Sequence, residues 1–341
     1  MSVKSNTYSF DARHVLYGRL RAYLNKVLCP DFAGHCSTEI FPLLPAPTLN
    51  RRFLFYWLTW RRTCDQIATT ATGARMPRAN MDEVLEFEIP LPPLDEQKRI
   101  VAALDQAFAA LDRARANSET GLSDVEELLR TVVSENLENA LKGSVERMRL
   151  SELCSIARGG SPRPIQKFLT DDADGVNWIK ISDATASGMF IEQTQQKISR
   201  DGMSRSRYVA PGAFLLTNSM SFGRPYILKT DGCIHDGWLV LEPDYGLVDQ
   251  EYLYFLLGSK QVYREFDRLA AGSTVRNLNI DLVSKVSVSL PAIERQREAV
   301  VSIKNATRVV DELTRHYRDQ IADSEALRQS LLQAAFSGQL S

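Results

Sequence analysis

A chain of 341 residues is long enough for two or three domains, and its 44% hydrophobic and 24% charged residues suit a globular protein with real cores. No run approaches the ~18 apolar residues of a membrane span, and residues 1–6 carry no apolar leader, which argues against secretion. Five scattered cysteines, never in C-x-x-C, argue against a disulfide framework or zinc site and for a reducing cytoplasm, and the net charge of −1 leaves any nucleic-acid contact to local faces.

In chain order, residues 1–92 read as a first globular part of mixed pattern, with 11 basic against 8 acidic residues over 1–90. Arg19, Arg21, Arg75 and Arg78 are its candidate anion contacts, the last two in the glycine-bearing loop 73–78. Leu91-Pro92 marks a corner, because proline suits the loop before a helix or its first turn. A long helix is expected over 93–143. Ile100, Leu104, Ala107, Leu111, Ala114, Ser118, Gly121, Val125, Leu128 and Val132 alternate along it by three and four, a heptad seam with polar breaks.

Residues 144–291 read as a second globular part. Residues 176–181 and 213–217 alternate like short strands, and 249–257 open a helix with acidic residues in its first turn. The loop G-G-S-P-R at 159–163 brings Gly160, Ser161 and Arg163 together, and Lys180 follows. The stretch 195–230 holds Lys197, Arg200, Arg205, Arg207, Arg224 and Lys229 against Asp201 alone, which makes either a phosphate-holding face or an ordinary solvated one. Two further loops place amides and hydroxyls beside an arginine: Asn218, Ser219, Ser221 and Arg224, then Ser273, Thr274, Arg276 and Asn277. That mix suits base edges and phosphates, and each loop alone suits a surface turn equally well. A second long helix is expected over 292–341, with a seam at Ile303, Ala306, Val310, Leu313, Tyr317, Gln320, Ser324, Leu327, Leu331 and Ala334. The two seams predict antiparallel packing of the helices against each other. The plain alternative is that each packs on its own globular part.

The chain repeats itself at an offset of 199 residues. This superposes Gly73 on Gly272, Asn80 on Asn279, Asp82 on Asp281, Leu91-Pro92 on Leu290-Pro291 and Gln97 on Gln296. Upstream, with small gaps, Tyr23 matches Tyr226, Cys36 matches Cys233, and 53–58 matches 252–257. Two copies of one unit follow, the first closing near Gly143 and therefore short by about 56 residues at its start.

Signatures of catalysis are missing. There is no phosphate-binding G-x-x-x-x-G-K-[ST] and no dinucleotide-binding G-x-G-x-x-G. There is no Asn-Pro-Pro-aromatic tetrapeptide for a flipped base and no metal spacing among His14, His35, His235 and His316. His235 and Asp236 are adjacent, which on a strand would point them to opposite faces.

The second copy carries L-S-E-L at 150–153, G-G-S-P at 159–162, W-I-K-I-S-D at 178–183, G-R-P-Y at 223–226 and Y-L-Y-F-L-L at 252–257. A-G-S-T at 271–274 and L-P-x-x-E-x-Q at 290–296 follow. With L-P-P-L-D-E-Q-K-R-I-V at 91–101 in the first copy, the whole chain resembles the specificity subunit of type I restriction-modification enzymes. The resemblance implies an α+β fold: two mixed α/β target recognition domains, the first incomplete, separated by a pair of long antiparallel coiled-coil helices. It implies a non-catalytic subunit that binds double-stranded DNA, reads a half-site with each complete domain and docks two methyltransferase subunits, with motor-nuclease subunits joining for cleavage. S-adenosylmethionine, ATP and Mg²⁺ are then expected on those partners and no cofactor on this chain, in the cytoplasm and away from membranes. The first copy has no match to G-G-S-P or W-I-K-I-S-D, which puts its own reading of DNA in doubt. The competing expectations are a scaffold or decoy that binds methyltransferase subunits without reading DNA, and an enzyme of unrecognised chemistry.

Overall fold

The computed structural model describes residues 6–143, 145–218, 222–270 and 277–340, which group into two compact units. The first takes the chain up to Asp124 together with Leu313 onward, and the second runs from Val125 to Glu312. The N-terminal copy contains β1 (Thr7–Phe10), β2 (Val15–Gly18), β3 (Val27–Leu28), β4 (Gly34–Ser37), β5 (Ile40–Leu43), α1 (Arg51–Thr59), α2 (Arg61–Thr69), α3 (Met81–Leu85) and the long α4 (Leu94–Ala140). The second copy opens with β6 (Val145–Arg149), α5 (Leu150–Leu153), β7 (Cys154–Arg158), β8 (Leu169–Thr170), β9 (Val176–Ile179), α6 (Ile181–Thr185), β10 (Phe190–Ile191), β11 (Gln196–Ile198) and α7 (Arg200–Met203). It continues with β12 (Arg207–Val209), β13 (Phe214–Thr217), β14 (Pro225–Leu228), β15 (Gly232–Ile234), β16 (Trp238–Pro243), α8 (Gln250–Leu257), α9 (Lys260–Ala270), α10 (Ile280–Ser284), β17 (Ser287–Pro291) and the long α11 (Ile293–Phe336).

The repeat is visible in single hydrogen bonds. Asn50 caps α1 by accepting from the amides of Arg52 and Phe53, and Asp249 caps α8 in the same way through Glu251 and Tyr252. The buried Gln97 accepts from the Asn50 amide (2.7 Å) and donates to the carbonyls of Thr48 (2.9 Å) and Pro92 (2.8 Å). The buried Gln296 accepts from the Asp249 amide (2.9 Å) and donates to the carbonyls of Leu247 (2.9 Å) and Pro291 (2.8 Å). Every partner is displaced by the same 199 positions. Each glutamine thereby ties the Leu-Pro corner to the loop that starts the first core helix.

The sheets match in part. In the second copy one sheet runs β10-β14-β13-β16-β7 and the other β12-β15-β9-β11-β8; in the first copy they reduce to β3-β2-β5 and β1-β4. Tyr8 lies opposite Cys36 as Tyr208 lies opposite Cys233, so the Cys36–Cys233 equivalence holds in register. The Tyr23–Tyr226 equivalence does not. Tyr23 sits exposed in a short 3-10 turn, whereas Tyr226 is buried in β14, where Leu28 is its counterpart across from Leu16. No counterparts of β6 to β11 occur among the described residues of the first copy. The consequence reaches residues 88–92: they are coil, because nothing there plays the part that β6 plays for β17. Leu91 is 52% exposed where Leu290 is 5%.

One substitution marks the edge strand β5. Val240 faces Ala157 of β7, and the bond from the Gly159 amide to the Trp238 carbonyl fixes the alternation by which Val240 offers its own N–H to that neighbour. Pro42 holds the equivalent place in β5, paired with Leu16 and turned outward by the Arg19–Glu39 bond, and it has no N–H to offer.

Each unit's core mixes both long helices. In the first, Ile100, Leu104 and Phe108 of α4 pack with Leu332, Ala335 and Phe336 of α11 against Phe53, Trp57 and Trp60, and the Phe336 ring stacks on Trp60 at 5.6 Å. In the second, Ala299 and Val300 of α11 join Leu137 and Ala140 of α4. The helices thus meet each other and also their globular parts, and the two expected packings coexist. Within the first unit they run antiparallel, since Asp112 meets Arg328 while Ser118 meets Gln320. The strict heptad holds at Ser118, Val125 and Val310, and then slips. Leu128 and Leu327 are half exposed, at 51% and 49%, and Ala335 is buried rather than Ala334. A straight helix drifts from a 3.5-residue repeat by about 20° per heptad, so the buried stripe moves on by one residue.

Candidate nucleic-acid interface

In the second copy four loops converge on the turn between β15 and β16. Two glycines make the approach possible: a Cβ on Gly159 would run into the His235 carbonyl, and one on Gly237 into the His235 ring. Asp236 is the hub of the turn. Its Oδ1 accepts the Ser161 hydroxyl (2.7 Å), and its Oδ2 accepts Arg163 (3.0 Å). Its backbone carbonyl accepts Arg158 Nε (2.9 Å) and Asn218 Nδ2 (2.8 Å). The Ser161 hydroxyl, followed by the Arg163 guanidinium, holds the Asp236 carboxyl below its usual range.

Beside this hub lies a cavity of about 530 Å³ with an apolar floor of Ile165, Trp178 and Ile181 and a rim that includes Ser161, Arg163, Lys180, His235 and Asp236. The His235 ring accepts the Gly237 amide at Nδ1 (2.8 Å), and its Nε2 lies 3.3 Å from the Ile181 amide. A neutral imidazole has one acceptor nitrogen, so the shorter bond assigns it to Nδ1. Burial, partly opposed by Asp236 and Asp183, pushes the ring's pKa below its usual value and thereby favours the neutral imidazole. His235 and Asp236 do not alternate on a strand as their adjacency suggested. They occupy a turn, and both line the cavity.

The expected contact residues divide. Ser161, Arg163 and Lys180 meet at this cavity, while Gly160 is tied through its amide to the Ile234 carbonyl (3.1 Å). Arg207 is exposed and donates through Nε to the Arg158 carbonyl (2.8 Å), which places it on the same side of the hub. Arg205 is exposed and lies over the Phe168 ring at 5.4 Å, while Lys197 reaches the Ala173 carbonyl (3.4 Å). Arg224 is exposed beyond the backbone pairing with Thr217. Asn218 is a correction. It is 1% exposed and its amide is spent on Asp236, so it positions the turn and does not present to a base edge. Asn277 adjoins it through the Leu278 amide, which donates to the Asn218 carbonyl (2.8 Å). Ser219, Ser221, Ser273, Thr274 and Arg276 lie outside the described residues. Arg158, His235 and Asp236 were missed by sequence reasoning. The signal was I-H-D-G-W, a turn pair between two apolar runs.

In the first copy the Ala79 amide donates to the Arg19 carbonyl (3.0 Å), 199 positions from the Leu278–Asn218 bond, so Arg19 occupies the place of Asn218. Arg19 and Arg78 both bind Glu39, and Arg78 first, then Arg19, hold its carboxyl below the usual range. Arg21 and Arg75 are exposed on the neighbouring loops, with Arg21 joined to the Pro77 carbonyl through its amide (2.7 Å).

The fold and this loop face together define a duplicated α/β domain, each copy continued into a long helix. The sequence pattern of the type I restriction modification DNA specificity domain matches residues 2–119 and again 143–322, and the chain belongs to that family. It is 28% identical over 132 residues to the type I restriction enzyme EcoDI specificity subunit of Escherichia coli, covering 39% of this chain and 29% of that protein. It is 22% identical over 317 residues to the EcoBI specificity subunit of the same organism, covering 85% of this chain and 66% of that one. The chain therefore spans less than two thirds of these curated relatives. A solved chain from the type I R-M system, studied for its complex assembly and conformational transition, shares the fold with a TM-score of 0.85 at 21% identity, over 99% of this chain and 85% of that chain. The HsdS subunit of Thermoanaerobacter tengcongensis shares it with a TM-score of 0.59 at 22% identity, over 96% and 82%. Among the described residues no helix is long and apolar enough to cross a membrane.

Proposed function

We propose that this chain is the DNA sequence-specificity subunit of a cytoplasmic type I restriction-modification complex. The observation that carries this reading is the convergence of Arg158, Arg163, Lys180 and Arg207 with Ser161 and Asp236 on one face of a domain of that family. The second copy reads a half-site there. The first copy, whose Arg19 and Arg78 are taken up by Glu39, contributes mainly phosphate contacts through Arg21 and Arg75. Methyltransferase subunits, two in the full assembly, dock on the chain and hold S-adenosylmethionine. Motor-nuclease subunits supply ATP- and Mg²⁺-dependent cleavage, and the chain itself catalyses nothing. The experiment is selection from a randomised duplex pool by the full chain assembled with its methyltransferase subunit. Enrichment of a defined half-site is the expected result. Binding of that subunit with no enriched sequence would favour the scaffold or decoy reading.

A further inference from the structure

We propose that Asp236 is a base-reading acceptor that selects an exocyclic amine, cytosine N4 or adenine N6, at one position of the half-site. This rests on the reading of the chain as a DNA specificity subunit. The Asp236 side chain is 39% exposed at the rim of the cavity, in the middle of a basic face. It cannot swing away, because its carbonyl is held by Arg158 and Asn218 while Ser161 and Arg163 each hold one carboxylate oxygen. Each oxygen still has a lone pair free. In the major groove only adenine and cytosine present an amine donor, whereas guanine and thymine present acceptors there. A fixed carboxylate is repelled by phosphate and by those acceptors, so its approach to the duplex is favourable where an amine meets it.

Anchoring the loop does not account for the residue. The ion pair with Arg163 stands in water, with the arginine 80% exposed, and such pairs contribute little to stability. The loop is also tied by backbone bonds from the Gly159 and Gly160 amides to Trp238 and Ile234. The first copy keeps an acid at the matching turn. Glu39 sits among arginines, and the bond from the Arg19 amide to the Glu39 carbonyl repeats that from the Asn218 amide to the Gly237 carbonyl.

The test compares the half-sites enriched by wild type, Asp236→Asn and Asp236→Glu, each as the full chain with its methyltransferase subunit. Asn carries a donor as well as an acceptor, so Asp236→Asn should relax one C or A position, lowering discrimination there by about tenfold to a hundredfold, with the other positions kept. Asp236→Glu should keep the amine at that position. A motif identical to wild type in Asp236→Asn overturns the proposal. So does equal loss at every position in both variants, which is what a mere loop anchor would give. A wild-type pool without any motif would instead sink the functional reading on which it rests.

Discussion

Gly121 of α4 lies flat against the ring of Tyr317 of α11, so close that a Cβ on the glycine would come within 2.5 Å of the ring. In most helices Gly→Ala is stabilising by about 1 kcal/mol. Here Gly121→Ala should destabilise the first unit by about 1–3 kcal/mol, because the tyrosine has to leave its place. Combining it with Tyr317→Leu should recover much of the loss. Chemical denaturation of the four proteins of that double-mutant cycle gives the answer, and additive costs would show that the two residues do not touch.

Leu313, at the centre of the expected seam, is 36% exposed. Leu313→Asp is therefore a poor probe of helix packing, and its cost should be well below that of a buried charge.

The paired glutamines make a second prediction. Gln296→Leu strands the Asp249 amide and the carbonyls of Leu247 and Pro291 in a buried corner. At about 1–3 kcal/mol for each of the three unsatisfied groups, a loss of at least about 3 kcal/mol is expected. Hydrogen exchange should show α8 opening earlier. Gln97→Leu should do the same to α1, and unchanged exchange in both variants would mean that the corners hold without them.

His235 makes the second unit sensitive to acid. Its folded pKa lies below the unfolded value, mainly through burial, with Lys180 adding to the effect and Asp236 and Asp183 opposing it. The unfolded chain therefore binds the proton more readily. The stabilising contribution is complete above about pH 6.5 and is lost as the pH falls below it. Urea midpoints between pH 8 and 5 should fall more steeply for wild type than for His235→Gln. Parallel curves would assign the acid sensitivity to other groups.

Phosphate contacts separate from base reading by their salt dependence. Replacing Arg207, Arg205 or Lys197 with alanine should weaken binding to cognate and shuffled duplexes alike. Each true phosphate contact removed lowers the slope of log affinity against log salt by about one unit. Arg21→Ala and Arg75→Ala should behave in the same way. A change of sequence preference in any of these would move that residue to the reading face.

The duplication was legible in the sequence because glycine, proline and cap positions kept one register over thirty residues. Local motifs placed α8 and both long helices, and the repeat laid residues 53–58 of α1 on 252–257 of α8. What could not be read depended on partners far along the chain. Asn218 looks like a base reader until Asp236 takes its amide. Leu91 and Leu290 are the same residue in the same motif, yet only one has a strand beside it. Asp236 was passed over because its role comes from Ser161 and Arg163, more than seventy residues upstream. The strict heptad slips from about mid-helix onward for a geometric reason, the mismatch between 3.5 and 3.6 residues per turn.

Pro42 bears on how the β5 edge of the first copy avoids pairing with foreign strands. An open strand edge is a template for strands from other molecules, and a proline turned outward removes the donor that the first incoming strand would need. β5 is thus a gatekept edge. With valine there, as in the second copy, that edge would offer one more free donor, and pairing of the strand with other chains or with a second copy would become easier.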